Sequence, residues 1–206
     1  MIKPQISRHE SFSFRISHFA FRDEFAFTII ELLVVIALII ILAGLILSTV
    51  GYVQNKGARS RAETEIAAMS AALENYKADN GIYPRDNASN KYTDSLDARA
   101  GSTPAPSPSS YTNASFYLFE QLSGLDQNQQ ALPNLKNYFT FKPQMLGGPR
   151  DSNGNVSPVG FIRDPFGNSY GYSTAYQQSA STGYNPTFDL WSTANSTNDA
   201  QWIKNW

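Results

Sequence analysis

Between Phe27 and Val50 the chain reads FTIIELLVVIALIIILAGLILSTV, 24 residues with a single charged side chain, Glu31. As an α-helix this stretch reaches about 36 Å, more than the ~30 Å hydrocarbon core of a bilayer. The segment therefore reads as one membrane-spanning helix. The stretch before it, Met1–Ala26, is not an ordinary secretory signal, because in that type the apolar core precedes the cleavage site and is discarded. Glu31 lies near the N-terminal end of the span, where a carboxylate costs little compared with one at the bilayer centre. On composition alone, a plain signal anchor accounts for it.

The helical pattern does not stop at the membrane. Past Gly51, apolar residues fall at Ala58, Ala62, Ile66, Met69, Leu73 and Tyr76. Steps of three and four trace one face of a helix. Lys56, Arg59, Arg61, Glu63, Glu65 and Lys77 are placed mostly off that face. Asn80-Gly81 supplies a helix stop and Pro84 prevents resumption. The pattern predicts one helix from Thr28 to Asn80, about 80 Å long. Its second half is expected to lay the stripe against a domain.

Composition narrows the function classes. The formal charge is −1 and there is no long basic run, which argues against a protein that grips nucleic acid by its phosphates. The sequence has no cysteine, so the exported part must be held by packing and assembly. The two histidines, His9 and His18, both precede the apolar segment. Loss of that leader would leave no Cys or His for triad or zinc-histidine chemistry.

Beyond Asp86 the chain turns rich in Ser, Thr, Pro, Asn and Asp. A Ser/Pro-rich loop is expected at about residues 99–115, around Thr103-Pro-Ala-Pro-Ser-Pro. Phe116–Leu122 suggests a short helix ending near Gly124, and Leu135–Met145 is ambiguous. Gly160–Arg163, Ser169–Tyr172 and Thr187–Trp191 read as short strands. Asp164, in Asp-Pro-Phe-Gly, is expected to close a turn through its own side chain. The aromatic residues Tyr170, Tyr172, Tyr176, Tyr184, Trp191, Trp202 and Trp206 read as the core of a small sheet. Trp202 and Trp206, near the terminus, are the ones expected to be exposed.

Phe27-Thr28-Ile29-Ile30-Glu31-Leu32-Leu33-Val34-Val35-Ile36 resembles the prepilin cleavage and methylation motif of type IV pilins and type II secretion pseudopilins. The resemblance continues at Asn80-Gly81-Ile82-Tyr83-Pro84 and at Asp164-Pro165-Phe166-Gly167-Asn168-Ser169-Tyr170-Gly171-Tyr172. Phe188-Asp189-Leu190-Trp191-Ser192 is similar to the last strand of the major pseudopilin. The resemblance does not extend over residues 86–159, which read as a family-specific insertion. The fold implied is α+β and pilin-like, a long N-terminal helix packed on a small antiparallel sheet. The division implied is a leader at 1–26, a transmembrane helix at 27–50, its amphipathic continuation at 51–81 and a globular domain at 82–206.

The resemblance also implies a function, that of a structural filament subunit with no enzymatic activity. A prepilin peptidase would cut between Ala26 and Phe27 and methylate the new amine. Ala26 stands where the family usually has glycine. Glu31, one turn on, would pair with the Phe27 amine of a neighbouring subunit, since a lone cation at the tip of an apolar helix is costly. The implied partners are copies of the chain, other pilins or pseudopilins, and an inner-membrane assembly platform. The implied location is the bacterial inner membrane, single-pass, with the C-terminal domain in the periplasm. Charge counting points the other way by one residue, since Lys56, Arg59 and Arg61 follow the span while Arg15 and Arg22 precede it.

The major pseudopilin binds calcium through an acidic loop after its last strand. The corresponding Ser192–Gln201 has one carboxylate, Asp199, so Asp189 and Asp199 are the candidate ligands. Two alternatives remain beside the filament subunit. One is a minor pilin binding through its aromatic face. The other is a membrane-anchored exported enzyme using carboxylates such as Asp164 and Asp189 as acid and base.

Overall fold

The computed structural model describes residues 27–86, 92–99 and 109–206. The leader with Ala26, and most of the Ser/Pro-rich loop, lie outside the described residues. The chain divides into two compact units, residues 1–48 and 49–206.

In the first unit the described chain is helical from Ile29, the start of α1 (Ile29–Asn80). Leu, Ile, Val and Ala dominate it, and each described side chain from Phe27 to Val53 is exposed. Among the described residues α1 is the one helix long and apolar enough to cross a membrane.

In the second unit the same helix changes character. Ala62, Ile66, Met69, Ala72 and Leu73 are buried and Tyr76 is half-buried, which reproduces the stripe in the sequence. Glu65 departs from the expected pattern, because it too is buried. The helix ends at Gly81, whose φ of 78° only glycine adopts freely. Its N–H bonds to the Lys77 carbonyl at 2.7 Å, while the Asn80 amide reaches back to the Tyr76 carbonyl. These bonds satisfy carbonyls that a helix end leaves open.

Among the described residues the further α-helical segments are α2 (Tyr92–Ser95), α3 (Ser109–Ser123) and α4 (Ala175–Gln178). Helix α3 begins inside the stretch expected to be loop and is longer than the expected Phe116–Leu122. Leu118, Phe119 and Leu122 enter the same core as the α1 stripe. Gly124, with φ 69°, ends it as the sequence indicated. Residues 86–159 are thus no appendage. They supply a core helix, and Met145, Leu146, Val156 and Val159 besides.

Among the described residues the strands form two sheets rather than one. β1 (Leu146–Gly147) pairs antiparallel with β2 (Phe161–Ile162), in the register Leu146 with Ile162. The second sheet has the order β3 (Gly171–Ser173), β4 (Asp189–Ser192), β5 (Ile203–Lys204), all antiparallel. The strand expected at Ser169–Tyr172 begins two residues later, the one expected at Thr187–Trp191 spans Asp189–Ser192, and β5 had no sequence signal. Each sheet pairs a glycine with an aromatic residue across the ladder. A Cβ on Gly147 would stand 2.3 Å from the Phe161 ring, and one on Gly171 would stand 2.2 Å from the Trp191 ring. Both rings lie over bare backbone, so these two glycines are required by close approach.

Ile162, Tyr170, Tyr172, Phe188 and Leu190 share the core with the α1 stripe. A second cluster gathers Leu96, Ala98, Tyr111, Ala114, Trp191 and Trp202. Complete burial of a large apolar side chain contributes about 1.5–3 kcal/mol. The helix face and the sheet faces therefore hold each other in place.

Candidate assembly site

The start of α1 carries a reciprocal cap. The Thr28 hydroxyl accepts from the Glu31 N–H at 3.3 Å, and the Glu31 Oε2 accepts from the Thr28 N–H at 2.9 Å. The Thr28 hydroxyl also donates to Oε2, at 2.8 Å. A threonine followed three positions later by glutamate is the capping-box arrangement, which satisfies two backbone donors at a helix end. Glu31 therefore has a role inside its own chain that sequence spacing did not single out. All its bonds to Thr28 that involve the carboxylate use Oε2. Phe27 and Ile30 beside it are exposed.

Asp164 and Asp189, the possible acid–base pair, brace different turns. Asp164 is buried. Its Oδ1 accepts from the Phe166 and Asn168 N–H groups, at 3.0 and 2.7 Å, and its Oδ2 from the Ser192 hydroxyl at 2.5 Å. Burial raises its pKa against the pull of those bonds. It closes the Asp-Pro-Phe-Gly turn as expected and also ties that turn to the end of β4. Asp189 accepts from Tyr184 N–H on Oδ2 and from Asn185 N–H on Oδ1, both at 2.8 Å. Its pKa is likewise raised by burial.

The structure does not bring the two candidate calcium ligands into one site. Asp189 opens β4 with its carboxylate turned to the loop at 183–185. Asp199 is exposed, at the start of a 3₁₀ turn beyond the far end of that strand. Among the described residues no group of three or more His, Cys, Asp or Glu side chains is placed to hold a metal ion. The donor set does not fit calcium, which takes six to eight oxygens, usually with several carboxylates.

Most of the aromatic residues proposed for a binding face are core. Tyr170, Tyr172 and Trp191 are fully buried. Trp202, expected to be exposed, is 4% exposed. It stacks on Trp191 with ring centroids 6.2 Å apart, and its indole N–H bonds to the Ser196 carbonyl. β5, which the sequence did not reveal, is what folds it inward. Trp206 is half-exposed and stacks on Tyr184 at 4.7 Å.

Glu65 is the polar residue that helical spacing missed. Its Oε2 accepts from the Tyr170 hydroxyl at 2.8 Å and its Oε1 from Arg61 Nε at 2.7 Å. Burial, with the Glu65 charge beside it, drives the Tyr170 pKa far above its ordinary value. Tyr170 thus stays a neutral donor, so a buried carboxylate is tolerated within the stripe.

A helix exposed along its apolar part and buried along its second part within small antiparallel sheets is an α+β arrangement of the pilin kind. In sequence the chain is 33% identical over 96 residues to the type II secretion system core protein G of Aeromonas hydrophila. The match covers 46% of this chain and 63% of that protein, under two thirds of its length. No family model matches the chain, and no solved structure matches it. The similarity supports a relationship to the pseudopilins.

Proposed function

We propose that this chain is a structural subunit of a type II secretion pseudopilus, or of a closely related type IV filament. It is made with a leader that a prepilin peptidase removes between Ala26 and Phe27, with methylation of the new amine. The mature chain waits in the inner membrane, passing it once, with its domain in the periplasm. An assembly platform then adds it to copies of itself and to other pseudopilins. The observation that carries this reading is the contrast within α1. One stretch is apolar on every face and exposed, the other is built into a domain. The similarity to core protein G agrees with it.

Cleavage turns the Phe27 nitrogen into a cation. In a bundle of subunits removed from water this cation needs a partner. Glu31 Oε2 is held by Thr28, which leaves Oε1 for the amine of a neighbour. Losing one member of such a buried pair costs roughly 3–5 kcal/mol, repeated at each step of the filament.

Two measurements test the reading. The intact mass of the membrane-extracted protein should correspond to a methylated chain beginning at Phe27; a mature species that retains Met1–Ala26 would falsify the processing step. Glu31→Ala should leave insertion and cleavage in place and abolish or sharply reduce filaments in electron micrographs of overexpressing cells. Glu31→Gln keeps a capping acceptor but loses the charge. It should fail like Glu31→Ala. Normal filaments from Glu31→Gln would assign Glu31 to capping and remove the charge pair.

A further inference from the structure

The loop between β4 and β5 is where the resemblance implies a calcium site, yet several of its oxygens are already engaged by the protein's own donors. The Ser196 carbonyl accepts from the Trp202 indole N–H at 2.9 Å. The Gln201 carbonyl accepts from Arg59 Nη1, on α1, also at 2.9 Å. The Asn195 Oδ1 accepts from the Asn168 amide at 2.7 Å, and the Asn198 Oδ1 from Ala200 N–H at 3.0 Å. The Ser192 hydroxyl, which donates to Asp164, accepts from Ala194 N–H at 3.1 Å.

These bonds hold a backbone that would not hold itself. Ala194 and Asn195 both have left-handed φ values, 50° and 60°. Asparagine tolerates this region, but alanine pays a steric cost there. What remains for a cation is poor. Asp199 is exposed, and the Thr193 hydroxyl is buried without a hydrogen-bond partner but carries no charge. A guanidinium already sits on the loop, and it repels a second cation.

We propose that this loop is closed by Arg59, Asn168 and Trp202 in place of a metal ion, so that the domain folds and keeps its stability without calcium. Arg59 is then a built-in cation. It is carried by the same helix that anchors the subunit, and it ties the loop's last turn to that helix.

The experiment is thermal unfolding of the full processed chain in detergent, in EGTA and in about 5 mM calcium chloride, above the ~10⁻³ M dissociation constants of weak extracellular sites. The midpoints should coincide. Arg59→Ala and Asn168→Ala should each lower the midpoint by about 2–4 °C in both buffers, the shift expected for loss of one hydrogen bond in a domain of this size. A midpoint of the unmodified chain that rises with calcium overturns the proposal, whether or not the variants fold. So does a melting curve for both variants that matches the unmodified chain. Melting is read without filaments, so neither result bears on the assembly reading above.

Discussion

Two stretches of one helix, residues 29–53 and 62–76, share a backbone conformation and a wealth of apolar side chains, and they differ in what surrounds them. In the first, the apolar residues cover every face and all the described side chains are exposed. In the second the larger ones keep to one stripe, buried to 5% or less at Ala62, Ile66, Met69, Ala72 and Leu73, while only the alanines Ala67, Ala68 and Ala71 lie exposed off it. Helix propensity alone does not distinguish the two, since tertiary packing rather than propensity stabilises most protein helices. The distribution of hydrophobicity around the axis does. An all-round apolar helix requires lipid or other helices, whereas a striped one requires a single packed face.

The largest test of that contrast is Ile66→Asp. It buries a carboxylate among apolar neighbours and should cost several kcal/mol, on the order of the whole stability of a small domain. The purified protein should show no cooperative unfolding transition. An unchanged urea midpoint would mean that the stripe is not core.

A matched pair sharpens the comparison. Leu73→Ala removes a fully buried side chain and should destabilise the domain by about 2–5 kcal/mol. Leu38→Ala makes the same chemical change at a residue that is 56% exposed, and should move domain unfolding by less than about 0.5 kcal/mol. Equal effects on the urea midpoint would erase the distinction between the two stretches.

Gly171→Ala probes the sheet that faces the stripe. The added methyl would meet the Trp191 ring at 2.2 Å, and overpacking of this kind costs about 1–3 kcal/mol. The expected readout is a lower melting temperature with changed tryptophan fluorescence. A melting temperature equal to that of the unmodified chain would show that Trp191 relaxes freely.

Among the changes to buried groups, the smallest effect is expected for Tyr170→Phe, which removes the hydroxyl that bonds to Glu65 while Arg61 remains as partner. A loss of about 1–2 kcal/mol should appear in urea unfolding. Glu65→Gln made on top of it should recover part of that loss, because a neutral amide is cheaper to bury than a carboxylate with one bond missing.

Much of this was legible in the chain because it rests on local pattern. The steps between Ala62 and Tyr76 predict the buried face of α1, and Gly81 ends the helix where it was expected to. Asp164 closes its turn with its own side chain, a habit of aspartate before proline and glycine that needs no distant partner. The resemblance to the prepilin motif likewise rests on ten consecutive residues, whereas the Thr28–Glu31 cap, only three positions apart, came to light in the structure.

The rest depended on partners far apart in sequence. Glu65 reads as a solvated charge until Tyr170, 105 residues away, is placed against it. The start of helix α3 has the composition of a loop, because serine and threonine are weak helix formers. It is helical because Leu118, Phe119 and Leu122 find the α1 stripe. Two-residue strands carry no period to detect, so the splitting of the strands into two sheets and the existence of β5 were invisible. With β5 went the burial of Trp202 and the closure of the loop before it. Sequence alone determined that the chain has a stretch long and apolar enough to span a membrane, a striped helix and a turn-rich α+β domain, because hydrophobic periodicity is written residue by residue. Tertiary structure alone decided which polar groups are buried and which donors engage the loop before β5, because a hydrogen bond between distant residues exists only once the chain has brought them together.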